Sequence, residues 1–331
     1  MALRKKAFWK KRNVLVTGGS GFLGYRLSEA LSQQGARVTV LDIKPLPVFP
    51  NQKQTRNIRY VRGSVTDAKK LKKIFSDGKF KTVFHLAAEA IESRSYATPL
   101  ESLDTNIRGT WEVLEMARNT GRVSEIVVAS SDKAYGEHEH LPYREEFALH
   151  GMTPYACSKS CTDLIAMMYA TAYALPTAIA RCGNIYGGGD KNASRLIPDA
   201  LAALYNNRTF RVRSDGTFMR DYVYIDDIVS AYLLLAEKLV SQNLAGSAFN
   251  FGNNNPLSVL NVLAMLDKKS IRKLTIQIDN NTHREIKNQY LDASRAKKVL
   301  GWSAATSHEK GFAQTAKWYA NYFAHGGKLE R

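Results

Sequence analysis

The feature that most constrains this chain is a run of glycines set between two kinds of backbone. Asn13 to Thr17 (NVLVT) is a short apolar run of the kind that forms a buried strand. Thr17-Gly18-Gly19-Ser20-Gly21-Phe22-Leu23-Gly24 follows, with glycines three apart at Gly18, Gly21 and Gly24. A helix is expected from Phe22 to Gln34, closed by Gly35, and a second strand from Arg37 to Asp42 (RVTVLD). The unit is therefore strand, tight turn, helix, strand, which requires a parallel pair and a right-handed crossover. Gly18 permits the turn, Gly21 lets backbone amides approach a pyrophosphate, and Gly24 lets helix and strand pack closely. The helix then points its positive dipole end at the phosphates. In this context the pattern predicts a dinucleotide site.

The alternation continues along the 331 residues. Strands are expected at Ile58–Arg62, Thr82–Leu86, Ile126–Ala129 and Thr177–Arg181. Helices are expected at Ala68–Ser76, Pro99–Arg118 and Tyr155–Tyr173. Six strands alternating with helices describe an α/β fold, a doubly wound parallel sheet of the Rossmann kind. After Asn184 the rhythm loosens. A loop at Gly187–Asp190 precedes helical stretches at Arg195–Tyr205, Tyr222–Leu239, Leu257–Leu266 and from Ser294, with a short strand at Phe249–Phe251. Residues 1–183 are thus expected to form the dinucleotide-binding domain, and 184–331 mainly a smaller substrate lobe, with later segments returning to the first domain.

Composition narrows the class. Hydrophobic content of 44% and charged content of 23% are ordinary for a globular chain. No apolar run nears the roughly 20 residues needed to cross a bilayer, so no membrane association is expected. Met1 to Arg12 is basic without an apolar core, unlike a secretory leader. Three cysteines (Cys157, Cys161, Cys182) in a chain large enough to need no staples indicate a reducing compartment, the cytoplasm. Cys157 and Cys161 share a helix face, but no second pair follows at zinc spacing, and Glu137-His138-Glu139-His140 falls in a loop. No metal is expected. The net charge of +17 is dispersed and accompanied by no nucleic-acid motif, so it reads as a solvated surface that attracts an anionic substrate.

Chemistry is carried by Ser131-Asp132-Lys133 at a strand end and by Tyr155 and Lys159 one helical turn apart. An ammonium beside a phenol favours the phenolate, so Lys159 is expected to lower the pKa of Tyr155. Tyr155 then serves as base on an alcohol while hydride leaves the same carbon, and Ser131 hydrogen-bonds the oxygen that becomes a ketone. Asp42 at the end of the second strand suits ribose hydroxyls and repels a 2′-phosphate, which favours NAD over NADP, although Lys44 stands close by.

GGSGFLG, HLAA (His85 to Ala88), the Tyr155/Lys159 pair and RCGNIYG (Arg181 to Gly187) resemble the extended short-chain dehydrogenase/reductase family over nearly the whole chain. Ser131-Asp132-Lys133, RCGNIYGGGD…SRLIPDAL and the early Phe8-Trp9 are most similar to its sugar-nucleotide 4,6-dehydratase branch, of the CDP-glucose type. The resemblance implies that Asp132 is the acid that assists departure of the C6 hydroxyl and that Lys133 supports or performs deprotonation at C5. A 4-epimerase or reductase of the same family would need neither group.

It further implies cofactor contacts from Gly18, Gly21, Phe22, Leu23, Gly24, Asp42, Ser64, Val65, Leu86, Ala87, Ala88, Asn106, Tyr155 and Lys159. Nucleotide-sugar contacts are implied for Asn184, Arg195, Leu196, Arg220 and Arg284. A homodimer through Leu100–Arg118 and Tyr155–Tyr173, and a place in deoxysugar and polysaccharide biosynthesis, follow from the same resemblance. Ser64 stands where the family usually has an aspartate against adenine, and Arg220-Asp221-Tyr222-Val223-Tyr224 lacks the tryptophan of the CDP-glucose type. The base and the sugar therefore stay open.

Overall fold

A computed structural model describes residues 8–49, 57–268, 273–282 and 285–330. Its centre is a parallel sheet formed by β1 (Asn13–Thr17), β2 (Arg37–Asp42), β3 (Ile58–Arg62), β4 (Thr82–His85), β5 (Glu125–Ser131) and β6 (Thr177–Cys182). The helices between them are α1 (Phe22–Gln33), α2 (Ala68–Gly78), α3 (Glu92–Ala97), α4 (Pro99–Leu103), α5 (Gly109–Thr120) and α6 (Pro154–Tyr173). The central strands are buried on both faces, as their continuous apolar runs require. In α2 the periodicity sets the docking face: Leu71, Ile74 and Phe75 are buried beneath four lysines, and the Asp67 side chain caps the start.

The second half adds β7 (Asn184–Tyr186), α7 (Leu196–Tyr205), β8 (Phe210–Val212), β9 (Met219–Arg220), β10 (Tyr222–Tyr224) and α8 (Ile225–Leu239). Then come β11 (Ala248–Phe251), β12 (Leu257–Ser258), α9 (Val259–Lys268), β13 (Ile276–Ile278), β14 (Asn288–Gln289) and α10 (His308–Ala324). The sheet has seven strands rather than the six expected from the first half, in the order β3-β2-β1-β4-β5-β6-β11. β11 pairs in parallel with β6, and α8 buries Ile228, Tyr232 and Leu235 in the same core as Val14, Val16 and Phe249. A separate core built on Tyr186, Ile197, Leu201, Phe210, Tyr224, Phe312 and Tyr319 gathers β7, α7, β8, β10 and α10.

Three expected helices are corrected. The stretch Pro99–Arg118 is interrupted by a π-helical turn at Asp104–Arg108. Tyr222–Tyr224 is extended and pairs with β7 before α8 begins, and Leu257–Ser258 pairs with β9 before α9. In the last two, residues pair with strands distant in sequence, β-branched and aromatic ones in Tyr222–Tyr224 but not in Leu257–Ser258, and local periodicity does not report such pairing.

Candidate active site

The strand order reverses between β1 and β4, and the crevice at their carboxyl ends is where an open α/β sheet takes its ligands. Gly18 lies there with φ +70°, and a Cβ on it would sit 2.6 Å from the Ala87 nitrogen. A Cβ on Gly24 would overlap the Gly18 carbonyl. Those two glycines are thus explained within the chain. Gly21 is not: a Cβ there would meet only the Gly18 oxygen, at 3.3 Å. Gly21 is also the N-cap of α1, with no capping side chain and no acidic residue in the first turn. The first turn of the helix, from Phe22 and Leu23, thus carries no carboxylate of its own that would compete with a phosphate.

Asp42 closes the far side of the turn. Its Oδ2 accepts the Ser20 backbone N–H at 2.9 Å and its Oδ1 that of Lys44 at 2.9 Å. The Lys44 ammonium is drawn away to Glu330, 3.3 Å distant. The charge that opposed an NAD preference is thereby paired elsewhere.

Ser64 offers adenine little. Its hydroxyl is 2.8 Å from that of Thr66 and accepts the Thr66 N–H, while Val65 is buried against Gly109. Leu86, Ala87 and Ala88 leave β4 beside the glycine turn, with the Leu86 N–H bonded to the Thr17 carbonyl. Asn106 faces inward from the π turn, 1% exposed. It accepts the Glu89 N–H (2.7 Å) and donates to the Glu89 carbonyl (3.1 Å) and the Ser158 hydroxyl (2.8 Å). Its amide joins the segment after β4 to α6. A chain from Thr17 through His85 to Thr110 lies behind it (2.8 and 3.1 Å). Burial, with the charge of Lys159 adding to it, pushes His85 down to about 3, so the ring is neutral.

Ser131, Asp132 and Lys133 stand at the carboxyl end of β5, two strands from β1. The Ser131 hydroxyl donates to Asp132 Oδ1 at 2.9 Å, and Lys133 Nζ is 3.7 Å from the same oxygen. Asp132 is 1% exposed and its Oδ2 has no partner. Ser20 Oγ and Ser130 Oγ are likewise buried and without a hydrogen-bond partner, so polar valences near the ends of β1 and β5 are left unpaired within the chain.

Tyr155 and Lys159 enter from α6, both buried. Lys159 Nζ donates to the Ala129 carbonyl at 2.9 Å and lies 6.0 Å from the centre of the Tyr155 ring. Here an expectation is overturned. The Tyr155 phenol is held above its ordinary value, because burial outweighs everything else. Ser131 and then Arg195 pull it down, while Asp132 and Glu92 push it further up. Lys159 does not lower it, and burial brings Lys159 itself down to about 8 despite Asp163.

Arg195 stands at the N-cap position of α7 without a capping side-chain bond, bonds Asp190 at 3.0 Å, and is charge-coupled to Tyr155, with Leu196 beginning the helix behind it. Asn184 on β7 lies against Tyr222. Arg220, expected to contact the nucleotide sugar, has its Nη hydrogens engaged within the chain. Nη1 donates to the carbonyls of Met219 and Lys287, and Nη2 to Glu285 and the Ile286 carbonyl, each at 2.8 Å. Backbone carbonyls occupy the donors assigned to a diphosphate. Arg284 lies outside the described residues.

Sequence reasoning missed Asp190, Glu92 and Asp221. The last is fully buried, receives the N–H of Asn253 at 2.7 Å, and is pushed up to about 6 by burial, with Asp132 adding like charge. Only its place beside Arg220 hinted at it. Among the described residues no three His, Cys, Asp or Glu side chains converge as a metal site, and no helix is long and apolar enough to cross a membrane.

The model of the NAD dependent epimerase/dehydratase family matches residues 14–252. The chain is 30% identical to the CDP-glucose 4,6-dehydratase of Salmonella typhimurium, over 95% of this chain and 92% of that protein. Among solved structures, the dTDP-glucose 4,6-dehydratase of Bacillus anthracis in complex with NAD superposes with a TM-score of 0.80 at 25% identity, over 94% of this chain and 97% of that one. The UDP-glucose 4-epimerase of Thermotoga maritima with UDP-glucose gives 0.86 at 28% identity, over 94% and 99%.

Proposed function

Because the chain belongs to the NAD dependent epimerase/dehydratase family, we propose that it is an NAD-dependent nucleotide-sugar 4,6-dehydratase, a hydro-lyase. It converts an NDP-hexose of the CDP-glucose kind to the NDP-4-keto-6-deoxy sugar. NAD, when bound, would supply a reversible hydride acceptor for C4 and hydride donor for C6. The glycine turn, the open N-terminus of α1 and Asp42 would hold it.

The remaining steps are proton movements by the chain. Tyr155 takes the C4 hydroxyl proton, with Ser131 bonding the oxygen that becomes the ketone. Burial holds the phenol protonated, so the Ser131 hydroxyl and the positive charge of Arg195 serve to stabilise the phenolate in turnover. The ketone acidifies C5. Lys133 takes the C5 proton as the C6–O bond breaks, and Asp132 gives its proton to the departing hydroxyl, which leaves as water. Lys133 would return its proton to C5 when C6 is reduced, and the proton taken by Tyr155 would pass through solvent to restore Asp132, so no net oxidation occurs.

The observation that carries this reading is the Asp132–Lys133 couple, within 3.7 Å and sharing Ser131 with the environment of Tyr155. A 4-epimerase has no use for it. The test is incubation with CDP-, dTDP-, UDP- and GDP-hexoses. A 4-keto-6-deoxy product without net NADH is expected, lost in Asp132→Asn and Lys133→Ala. Formation of a C4 epimer alone, or full turnover in both variants, would overturn the reading.

The sheet body with the returning residues 225–251 is the cofactor domain in this proposal, and the core around Tyr186 and Phe312 is the substrate lobe. Arg195 and Asn184 are the contacts proposed for the nucleotide sugar. A homodimer through α4 to α6 is supported by their bare apolar side chains, Leu100, Trp111, Leu164, Met168 and Tyr173. The free thiols suit a reducing cytoplasm, and the product suits deoxysugar supply for polysaccharides.

A further inference from the structure

Behind the catalytic groups lies a buried ionic knot that the reaction scheme does not use. Arg181, on β6 opposite Ser130, is 3% exposed, and its partner Asp163 on α6 is fully buried. The guanidinium grips Asp163 with two bonds, Nε to Oδ2 at 3.0 Å and Nη2 to Oδ1 at 2.9 Å. Its Nη1 donates to the Tyr135 hydroxyl at 2.8 Å and to the Glu145 carbonyl at 3.0 Å. The Tyr135 hydroxyl, accepting from arginine, donates in turn to Asn250 Oδ1 on β11 at 2.7 Å. Asn250 completes the knot by donating to the carbonyls of Tyr143 and Asp292.

What these groups join is specific. Asp163 lies one turn beyond Lys159 and two beyond Tyr155 on α6. Tyr135 ends the single 3-10 turn Asp132–Tyr135 that begins with the proposed acid. Ser160 adds a second tie from α6 to that turn, through the Ala134 carbonyl at 2.8 Å. The oxidising groups and the eliminating groups thus sit on two elements that meet at one arginine fork. Stability alone does not call for such a knot, since buried ion pairs are often replaceable by apolar groups at no loss. A planar fork that bonds in fixed directions supplies orientation, which apolar packing does not.

We propose that Arg181, acting through Asp163 and Tyr135, is a positioning residue that holds the Asp132–Lys133 couple in register with Tyr155, so that loss of water keeps pace with oxidation at C4. The inference rests on the dehydratase reading.

The experiment follows the two half-reactions by rapid mixing of the NAD-loaded protein with the sugar nucleotide it dehydrates. Reduced nicotinamide is read by absorbance, and a thermal melt is run in parallel. Tyr135→Phe removes one hydroxyl and leaves the Arg181–Asp163 pair intact. Its oxidation step should stay within about threefold of wild type while elimination slows by about tenfold or more, the scale of one lost hydrogen bond to a charged group. Reduced cofactor then builds up on the protein, and KM changes little. Arg181→Lys, which keeps the charge but not the fork, should do the same more strongly. If Arg181→Lys does not fold, Tyr135→Phe decides alone. A lowered melt with the two half-reaction rates still in their wild-type ratio overturns the inference and leaves the dehydratase reading standing. A wild-type protein that dehydrates no sugar nucleotide overturns both.

Discussion

In the turn after β1, closeness is achieved by removing side chains: Gly18 and Gly24 let backbone lie on backbone. The second half of the chain achieves closeness by adding a large one: Arg220 reaches three carbonyls and Glu285 to hold the 285–287 segment. The first device sits in a single turn, although Gly18 abuts the distant backbone of Leu86 and Ala87, and a Cβ on either glycine overlaps backbone. The second spans more than sixty residues and depends on a side chain finding unpaired acceptors. Geometry at the glycine turn is therefore readable from the sequence, while geometry around Arg220 is assembled from distant pieces.

The sharpest way to break that contrast is within the glycine turn itself. Gly24→Ala drives a methyl into the Gly18 carbonyl and is expected to cost about 3 kcal/mol or more, seen as lost soluble protein or a collapsed urea midpoint. Gly21→Ala, with φ −72° and one contact at 3.3 Å, should move stability by no more than about 0.5 kcal/mol. Titration calorimetry should nevertheless show NAD binding weakened by about tenfold or more, as crowding of the pyrophosphate predicts. Equal stability losses in the two variants would mean that Gly21 has no ligand-facing role.

On the substrate side, Arg220→Gln leaves buried carbonyls without donors and is expected to lose about 2–4 kcal/mol in urea unfolding. KM for the nucleotide sugar should rise as β14 loosens from β9.

Lys159 provides a smaller effect of opposite sign. Its pKa is lowered from 10.5 to about 8, so between those values the unfolded chain binds the extra proton and stability rises with pH. Below about 8 the folded protein carries the cost of a buried ammonium. Lys159→Met should therefore be more stable at pH 7 by about 1–2 kcal/mol, after the lost bond to Ala129 is set against the gain, while turnover disappears. The gap should close as pH approaches 10.5. A variant less stable than wild type at neutral pH would show that the amine is a structural brace.

The smallest effect is predicted for Glu330→Gln. Its partners Lys44 and Lys191 bond it at the surface, so unfolding should shift by less than about 1 kcal/mol. Freed from Glu330, Lys44 should raise NADP affinity by about twofold, measurable by fluorescence titration.

Much of the site was legible because its constraints are local. Asp42, Ser131–Lys133 and the Tyr155/Lys159 pair lie on elements whose periodicity announces them, and parallel strands bring their ends to one edge. Burial was not legible. Tyr155 is buried 9% exposed beside Asp132, and that desolvation outweighs the lysine expected to acidify it. Nor were partners. Asn106 and Arg220 carry the right chemistry for a ligand, but their donors are taken by the chain.

The sequence alone determined the alternation of strand and helix, the glycine turn, and which polar groups gather at the carboxyl edge of the sheet. These follow from backbone sterics and from periodicity within a few residues. Only the tertiary structure decided that β11 joins β6, that Arg181 links α6 to the catalytic turn, and which way each buried group titrates. Those outcomes depend on desolvation and on hydrogen-bond partners brought together from far apart in the chain, and neither quantity exists until the core has closed.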